Sequence, residues 1–151
     1  MCFILEGYSQ GAAATVNALS QLTGASFTAV KGVFLIGDPQ HKSGLACNVD
    51  QNGGTTTKNV NGLSAYGSSG IPSNWVSKTL DVCNYVSTPY FQPVFSALDW
   101  IGLLTFFGQG DGVCDTTHGY GINQQHLAYS TLSSVQNLGT TFVVGKLRGT
   151  S

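Results

Sequence analysis

Charge is what this chain has least of. Six Lys and Arg stand against seven Asp and Glu in 151 residues, and only 9% of residues are charged. No basic stripe can be built from so few cations, which argues against nucleic acid as a partner. A run able to cross a bilayer is missing too. The most apolar stretch, residues 86–109, is interrupted by Pro89 and Pro93, so stable membrane insertion is not expected. The cysteines are Cys2, Cys47, Cys83 and Cys114, with no Cys-x-x-Cys pair among them. A zinc site from Cys83, Cys114 and His118 is therefore a poor fit, and no metal or other cofactor is expected. A secretory leader is also lacking, since Met1 stands directly against the first apolar strand. The expectation is an N-terminally incomplete form of a longer, secreted protein.

What is present suits one domain. A hydrophobic content of 42% is enough for a core at this length. The 20 glycines, with many Ser, Thr and Asn, fit a secreted protein, and there the cysteines could pair.

The rest of the chain is organised around residues 3–13. An apolar, β-prone run, Phe3-Ile4-Leu5, leads into Gly7-Tyr8-Ser9-Gln10-Gly11, and a small-residue helical run follows over 12–22. Gly-x-Ser-x-Gly between a strand and a helix is the pattern of a nucleophile elbow. So tight a turn forces the serine into a sparsely populated backbone conformation, and flanking glycines remove clashing Cβ atoms. The turn would expose the Ser9 hydroxyl and aim the first helical amides, that of Gln10 foremost, at the same point. Ala13, Val16, Ala18, Leu19 and Leu22 are the expected buried positions of the helix, with Gly24 as its stop. The run 30–37, closed by Asp38-Pro39, predicts a strand covered on both faces of a parallel sheet. Residues 38–77 read as a long polar loop, 78–83 as a short strand, and 134–147 as a closing helix. That helix would turn Val135, Leu138, Phe142 and Leu147 to the core.

Two further residues complete a chemistry. Asp111 lies in the glycine-rich loop Gly110-Asp111-Gly112-Val113-Cys114, and His126 follows 15 positions later. Ser9, Asp111, His126 is the chain order of α/β-hydrolases. In such a set the serine attacks, the histidine carries the proton and the aspartate orients the histidine. His118 is the rival to His126, but only seven positions separate it from Asp111. His41 has no supporting context and reads as solvent-exposed.

Together, Gly7-Tyr8-Ser9-Gln10-Gly11-Ala12, the Gly-Asp-x-Val-Cys loop and His126-Leu127-Ala128-Tyr129 resemble the cutinase family of secreted serine esterases, closest to its fungal cutinase-like branch. The resemblance covers nearly all of residues 3–149 apart from 86–109. It implies a three-layer α/β-hydrolase sandwich around a central parallel sheet, incomplete at the N-terminus. It also implies a monomeric enzyme that cleaves cutin, polyester or short acyl esters. Two alternatives stand beside it. One is an acetylxylan-type carbohydrate esterase, towards which Thr117-His118-Gly119-Tyr120-Gly121 points and against which Leu127 and Val113 argue by favouring an apolar acyl pocket. The other is a non-catalytic, lipid-associating secreted protein using the apolar segment.

The chain departs from the family pattern in two places. The family joins the cysteines of a Cys-Asn-x-Gly-Asp-x-Val-Cys loop, which implies a Cys83–Cys114 disulfide here. Those cysteines stand 31 positions apart, and without the 24 residues of 86–109 they would stand the family's seven apart. Residues 86–109 are therefore read as an anomalous insert in a single domain over 1–151, a retained intron translated in frame. Val86-Ser87 can be encoded by GTAAGT and Gln109 by CAG, the sequences of a donor and an acceptor site. The other departure is at the start. Family members have strands before the nucleophile strand, including a second oxyanion-hole donor, so impaired activity is expected of this chain. Neither Cys2 nor Cys47 has an evident partner.

Overall fold

The computed structural model describes residues 1–86 and 109–149. The apolar segment therefore lies almost wholly outside the described residues, and so does its reading as an insert or as a lipid-associating segment.

Among the described residues, four parallel strands form one sheet. They are β1 (Phe3–Tyr8), β2 (Val30–Ile36), β3 (Asn48–Val49) and β4 (Thr79–Val82), in the order β1-β2-β4-β3. Leu5 lies beside Val33, and Tyr8 beside Ile36. Ile36 in turn lies beside Val82. β2 is central because its sequence is apolar at both parities, so it can be covered on both faces. Val33 and Leu35 point to one side, where they meet Ala12, Val16, Leu19, Ile71 and Trp75. Phe34 and Ile36 point to the other, against Val82, Tyr129, Val135, Leu138 and Phe142.

Helices supply the outer layers. α1 (Gln10–Leu19) and the short α2 (Gly24–Ala29) belong to the first side, and α4 (Ser133–Arg148) to the second. The result is the expected α/β arrangement, a helix–sheet–helix sandwich around a parallel sheet. α4 approaches β2 closely because position 139 is glycine: a Cβ there would stand 2.7 Å from Phe34 Cε1. It ends at Gly149, whose φ of 71° is left-handed and whose N–H donates to the Gly145 carbonyl.

Several local expectations need correction. In α1 the buried residues are Ala12, Val16 and Leu19, whereas Ala18 is exposed. Gly24 opens α2 as well as following α1. Leu147 is 52% exposed, because the side of α4 that meets β2 carries Phe142 and Lys146 over Gly32, and the next residue is turned about 100° away from it. Residues 38–77 are not a structureless loop. They hold β3 and two 3-10 turns, 65–67 and 76–78, the second beginning beside the buried Trp75.

Candidate active site

Ser9 sits at the strand–helix junction with φ 55° and ψ −122°, and among the described residues no other non-glycine has positive φ. Such a conformation costs about 1–3 kcal/mol and persists only where its surroundings enforce it. Two constraints do so. The Ser9 N–H donates to the Ile36 carbonyl at 2.9 Å, and the Ser9 carbonyl accepts from Ala12 and Ala13 as α1 begins. Gly7 lets helix and strand meet, since a Cβ there would lie 2.6 Å from Ala12 Cα. Gly11 is different: a Cβ on it would meet nothing within 4 Å. Among the described residues, only the first glycine of the motif is thus required by a clash. Gln10 is the first residue of α1, where no intrahelical carbonyl is available to its N–H.

The structure brings His126 to this serine from 117 positions away, with Nε2 2.9 Å from Ser9 Oγ. Nδ1 of the same ring lies 2.9 Å from both Asp111 carboxylate oxygens. A carboxylate only accepts, so Nδ1 carries the hydrogen and Nε2 is left to accept from the serine hydroxyl. Asp111 is fully buried and His126 nearly so.

Several residues that sequence reasoning overlooked hold this arrangement. His126 lies in α3 (Gln124–Leu127), whose N-cap is Asn123. The Asn123 side chain accepts from the His126 N–H at 3.0 Å and donates to the Gly110 carbonyl at 2.9 Å, tying the histidine turn to the aspartate loop. An Asn three positions before the histidine is a capping signal that was legible. Tyr8 stacks its ring on His126, with centroids 5.1 Å apart and planes 21° apart, and donates its Oη to the His126 carbonyl at 2.7 Å. Burial and then the Asp111 charge raise the Tyr8 pKa above the usual phenol value. Tyr129 donates to Asp111 Oδ2 at 2.6 Å and accepts from the Asn84 N–H at 2.8 Å. The Asp111 loop is closed by a Cys83–Cys114 disulfide.

His118 occupies a separate place. Its Nδ1 lies 2.8 Å from the buried Asp115 Oδ2, and its ring meets Tyr85 edge-on. His41, expected at the surface, is fully buried. Its Nε2 lies 3.0 Å from the Thr57 carbonyl, and its Nδ1 makes a 2.7 Å ion-pair contact with Asp81. That contact lacks hydrogen-bond alignment, so its attraction is chiefly electrostatic. Burial is the largest single influence and lowers the His41 pKa, but the Asp81 contact, the Thr57 carbonyl and the Asp38 charge together outweigh it and raise the value to about 9. Burial and then Asp81 push nearby Asp38 up to about 7. Cys2 is an exposed free thiol and Cys47 a buried one. Among the described residues, no group of three or more His, Cys, Asp or Glu could hold a metal ion.

A cavity of about 610 Å³ opens between β1 and α4, with Tyr8, Phe34, Leu127, Tyr129 and Val135 in its wall. Ser9 and His126 do not line it, so it flanks the serine rather than enclosing it. Leu127 is 65% exposed there, while Val113 is buried in the aspartate loop.

No curated protein sequence matches the chain. Among solved structures, a cutinase-like protein from Cryptococcus sp. is 57% identical, with a TM-score of 0.79 over 97% of this chain and 60% of that one. The chain thus spans about three-fifths of that relative's length. The catalytic core domain of acetyl xylan esterase from Trichoderma reesei is similar in fold, at 21% identity and a TM-score of 0.57 over 98% of this chain and 60% of that one. Another acetylxylan esterase structure, also 21% identical, has a TM-score of 0.59 over 97% of this chain and 60% of that one. The family model described as Cutinase matches residues 2–98, a stretch that contains Ser9, and on that match the chain belongs to the cutinase family.

Proposed function

We propose that the chain carries the active centre of a secreted serine esterase that cleaves carboxylic esters of cutin, polyester or short acyl type. The observation that supports this most is the continuous contact from Ser9 Oγ to His126 Nε2 and from His126 Nδ1 to Asp111. In this reading Ser9 Oγ attacks the ester carbonyl carbon as its proton passes to Nε2. The carbonyl oxygen gathers negative charge, and the free Gln10 N–H at the positive end of α1 stabilises it. His126 then gives the proton to the departing alkoxide oxygen, leaving an acyl-Ser9. Water attacks that ester, its proton again taken by Nε2, and the acid leaves as Ser9 recovers its proton. Asp111 fixes the imidazole tautomer and balances the imidazolium charge.

The family assignment favours an ester substrate, and the 57% identity to a cutinase-like protein favours this branch over the acetylxylan esterases. A disulfide suits an oxidising, extracellular compartment. No helix among the described residues is long and apolar enough to cross a membrane. The protein is proposed to act as a monomer without cofactor. Hydrolysis of p-nitrophenyl butyrate is the test. Weak, impaired activity that disappears with Ser9→Ala is expected, and activity that survives it would refute the assignment.

Residues 86–109 are proposed to be an insert within the single domain over 1–151. The supporting observation is that the chain leaves and returns at one place. Tyr85 and Gly110 form an antiparallel bridge, and the Val86 N–H donates to the Gln109 carbonyl at 2.8 Å. Bridged Cα atoms lie about 4.5–5.5 Å apart, so joining Tyr85 directly to Gly110 needs a closure of about 1–2 Å. A deletion of 86–109 is expected to keep the disulfide and the folded circular dichroism spectrum. Loss of folding on deletion would contradict the proposal. Spliced transcripts that lack the segment would identify it as an intron, and mature transcripts that all keep it would contradict that reading.

A further inference from the structure

We propose that Tyr129 is a positioning residue that holds the Asp111 carboxylate and sets how strongly it draws a proton onto His126. The inference rests on the serine esterase reading above and extends it by one residue. Asp111 is fully buried, so every lone pair without a donor there is costly. Oδ1 accepts from the Val113 N–H at 2.9 Å. Besides His126, Oδ2 accepts from Tyr129 Oη at 2.6 Å, the shorter of these two bonds to the carboxylate. A short O–H···O bond to an ionised carboxylate is among the strong hydrogen bonds of proteins. Tyr129 cannot easily turn away, because its Oη also accepts from the Asn84 N–H at 2.8 Å. Asn84 follows Cys83, and its carbonyl accepts from the Asp111 N–H. One phenol therefore joins the disulfide loop to the carboxylate that faces His126. Burial and the Asp111 charge keep that phenol protonated, so it donates throughout the working range.

The plain alternative is that Tyr129 merely fills the core, where it packs with Phe34, Val82 and Val135. The two roles separate chemically. Packing needs the ring, whereas control of Asp111 needs the hydroxyl. Removing the hydroxyl leaves the carboxylate with more unshared negative charge, which favours the imidazolium. The titratable groups facing His126 are Asp111, Tyr8 from β1 and Tyr129, and Asp81 on β4 acts on Tyr129 from farther away. Only Tyr129 changes in the experiment.

The test is a nitrogen-15 NMR titration of the histidines in the full chain, with His126→Gln assigning the signal. Tyr129→Phe is expected to move the His126 titration midpoint upward by about one pH unit. Replacement by 3,5-difluorotyrosine keeps the ring and makes the hydroxyl a stronger donor, so the midpoint is expected to fall. The acid limb of ester hydrolysis should shift in the same directions. A midpoint unmoved in both variants would assign Tyr129 to packing alone and overturn the proposal, as would a downward shift in Tyr129→Phe. The titration needs no turnover, so it fails or succeeds separately from the Ser9→Ala assay.

Discussion

Gly37 and His126 are in contact in a way that permits no side chain between them. Gly37 directly follows β2 with φ 58°, and a Cβ there would stand 2.9 Å from His126 Cε1 and 3.0 Å from Asp111 Oδ2. Gly37→Ala would thus meet a strained backbone and a collision with the imidazole and with its Asp111 partner. Its expected effect is a loss of at least about tenfold in kcat and about 1–3 kcal/mol of stability. Ester hydrolysis and urea unfolding read the two together. Wild-type kcat in this variant would show that the histidine tolerates displacement.

Tyr8 bears on the same ring from the opposite element. Tyr8→Phe keeps the stack on His126 but deletes the Oη bond to its carbonyl. A stability loss of about 0.5–1.5 kcal/mol is expected, with kcat reduced only a few-fold. Tyr8→Ala removes the stack as well and should cost more in both. Equal effects from the two variants would show that the ring contributes nothing.

The His41–Asp81–Asp38 cluster makes stability depend on pH in one direction. Asp38 is raised from 3.8 to about 7 and His41 from 6.5 to about 9. In both windows the folded chain binds more protons than the unfolded one, so stability falls as pH rises from about 4 to about 9. The His41 contribution is complete below 6.5 and is lost as pH passes about 9. Urea midpoints across this range check the slope, and a rise in stability towards pH 9 would contradict it. His41→Leu leaves Asp81 buried without its cation and is expected to cost about 3–5 kcal/mol near neutral pH.

The thiols should react in sequence. Cys2 is exposed, while Cys47 is buried and its pKa is pushed up to about 12 by burial and then by Asp81. A chromogenic disulfide reagent at pH 8 is expected to label one thiol per native chain and a second only after denaturation. Rapid native labelling of two thiols would show that Cys47 is accessible. Reducing Cys83–Cys114, which spans 31 positions, should cost about 3–4 kcal/mol and loosen Asp111.

Three strands of the sheet, β1, β2 and β4, were legible because their signals are local. The apolar run of β2 and the Gly-x-Ser-x-Gly turn each announce themselves within a few residues. β3 was not legible: Asn48 and Val49 pair with Asp81 and Val82 of a strand 30 positions away, and two residues carry no periodicity. His41 was misread for a related reason. Its burial depends on Asp81 and Thr57, partners that no window around position 41 contains. At the candidate site, Ser9, Asp111 and His126 could be named from chain order, whereas Gly37 and Tyr8 matter through contacts made only after folding. Asn123 is the exception, since its capping distance from His126 stands in the sequence itself.

The central claim is that His126 activates Ser9 as a nucleophile. Mass spectrometry after exposure to a fluorophosphonate tests it most directly, because the probe phosphonylates an activated serine and no turnover is needed. A single adduct on Ser9, lost in Ser9→Ala and slowed at least about a hundredfold in His126→Ala, is the expected result. No adduct on Ser9, or one that forms equally fast without His126, would contradict the account.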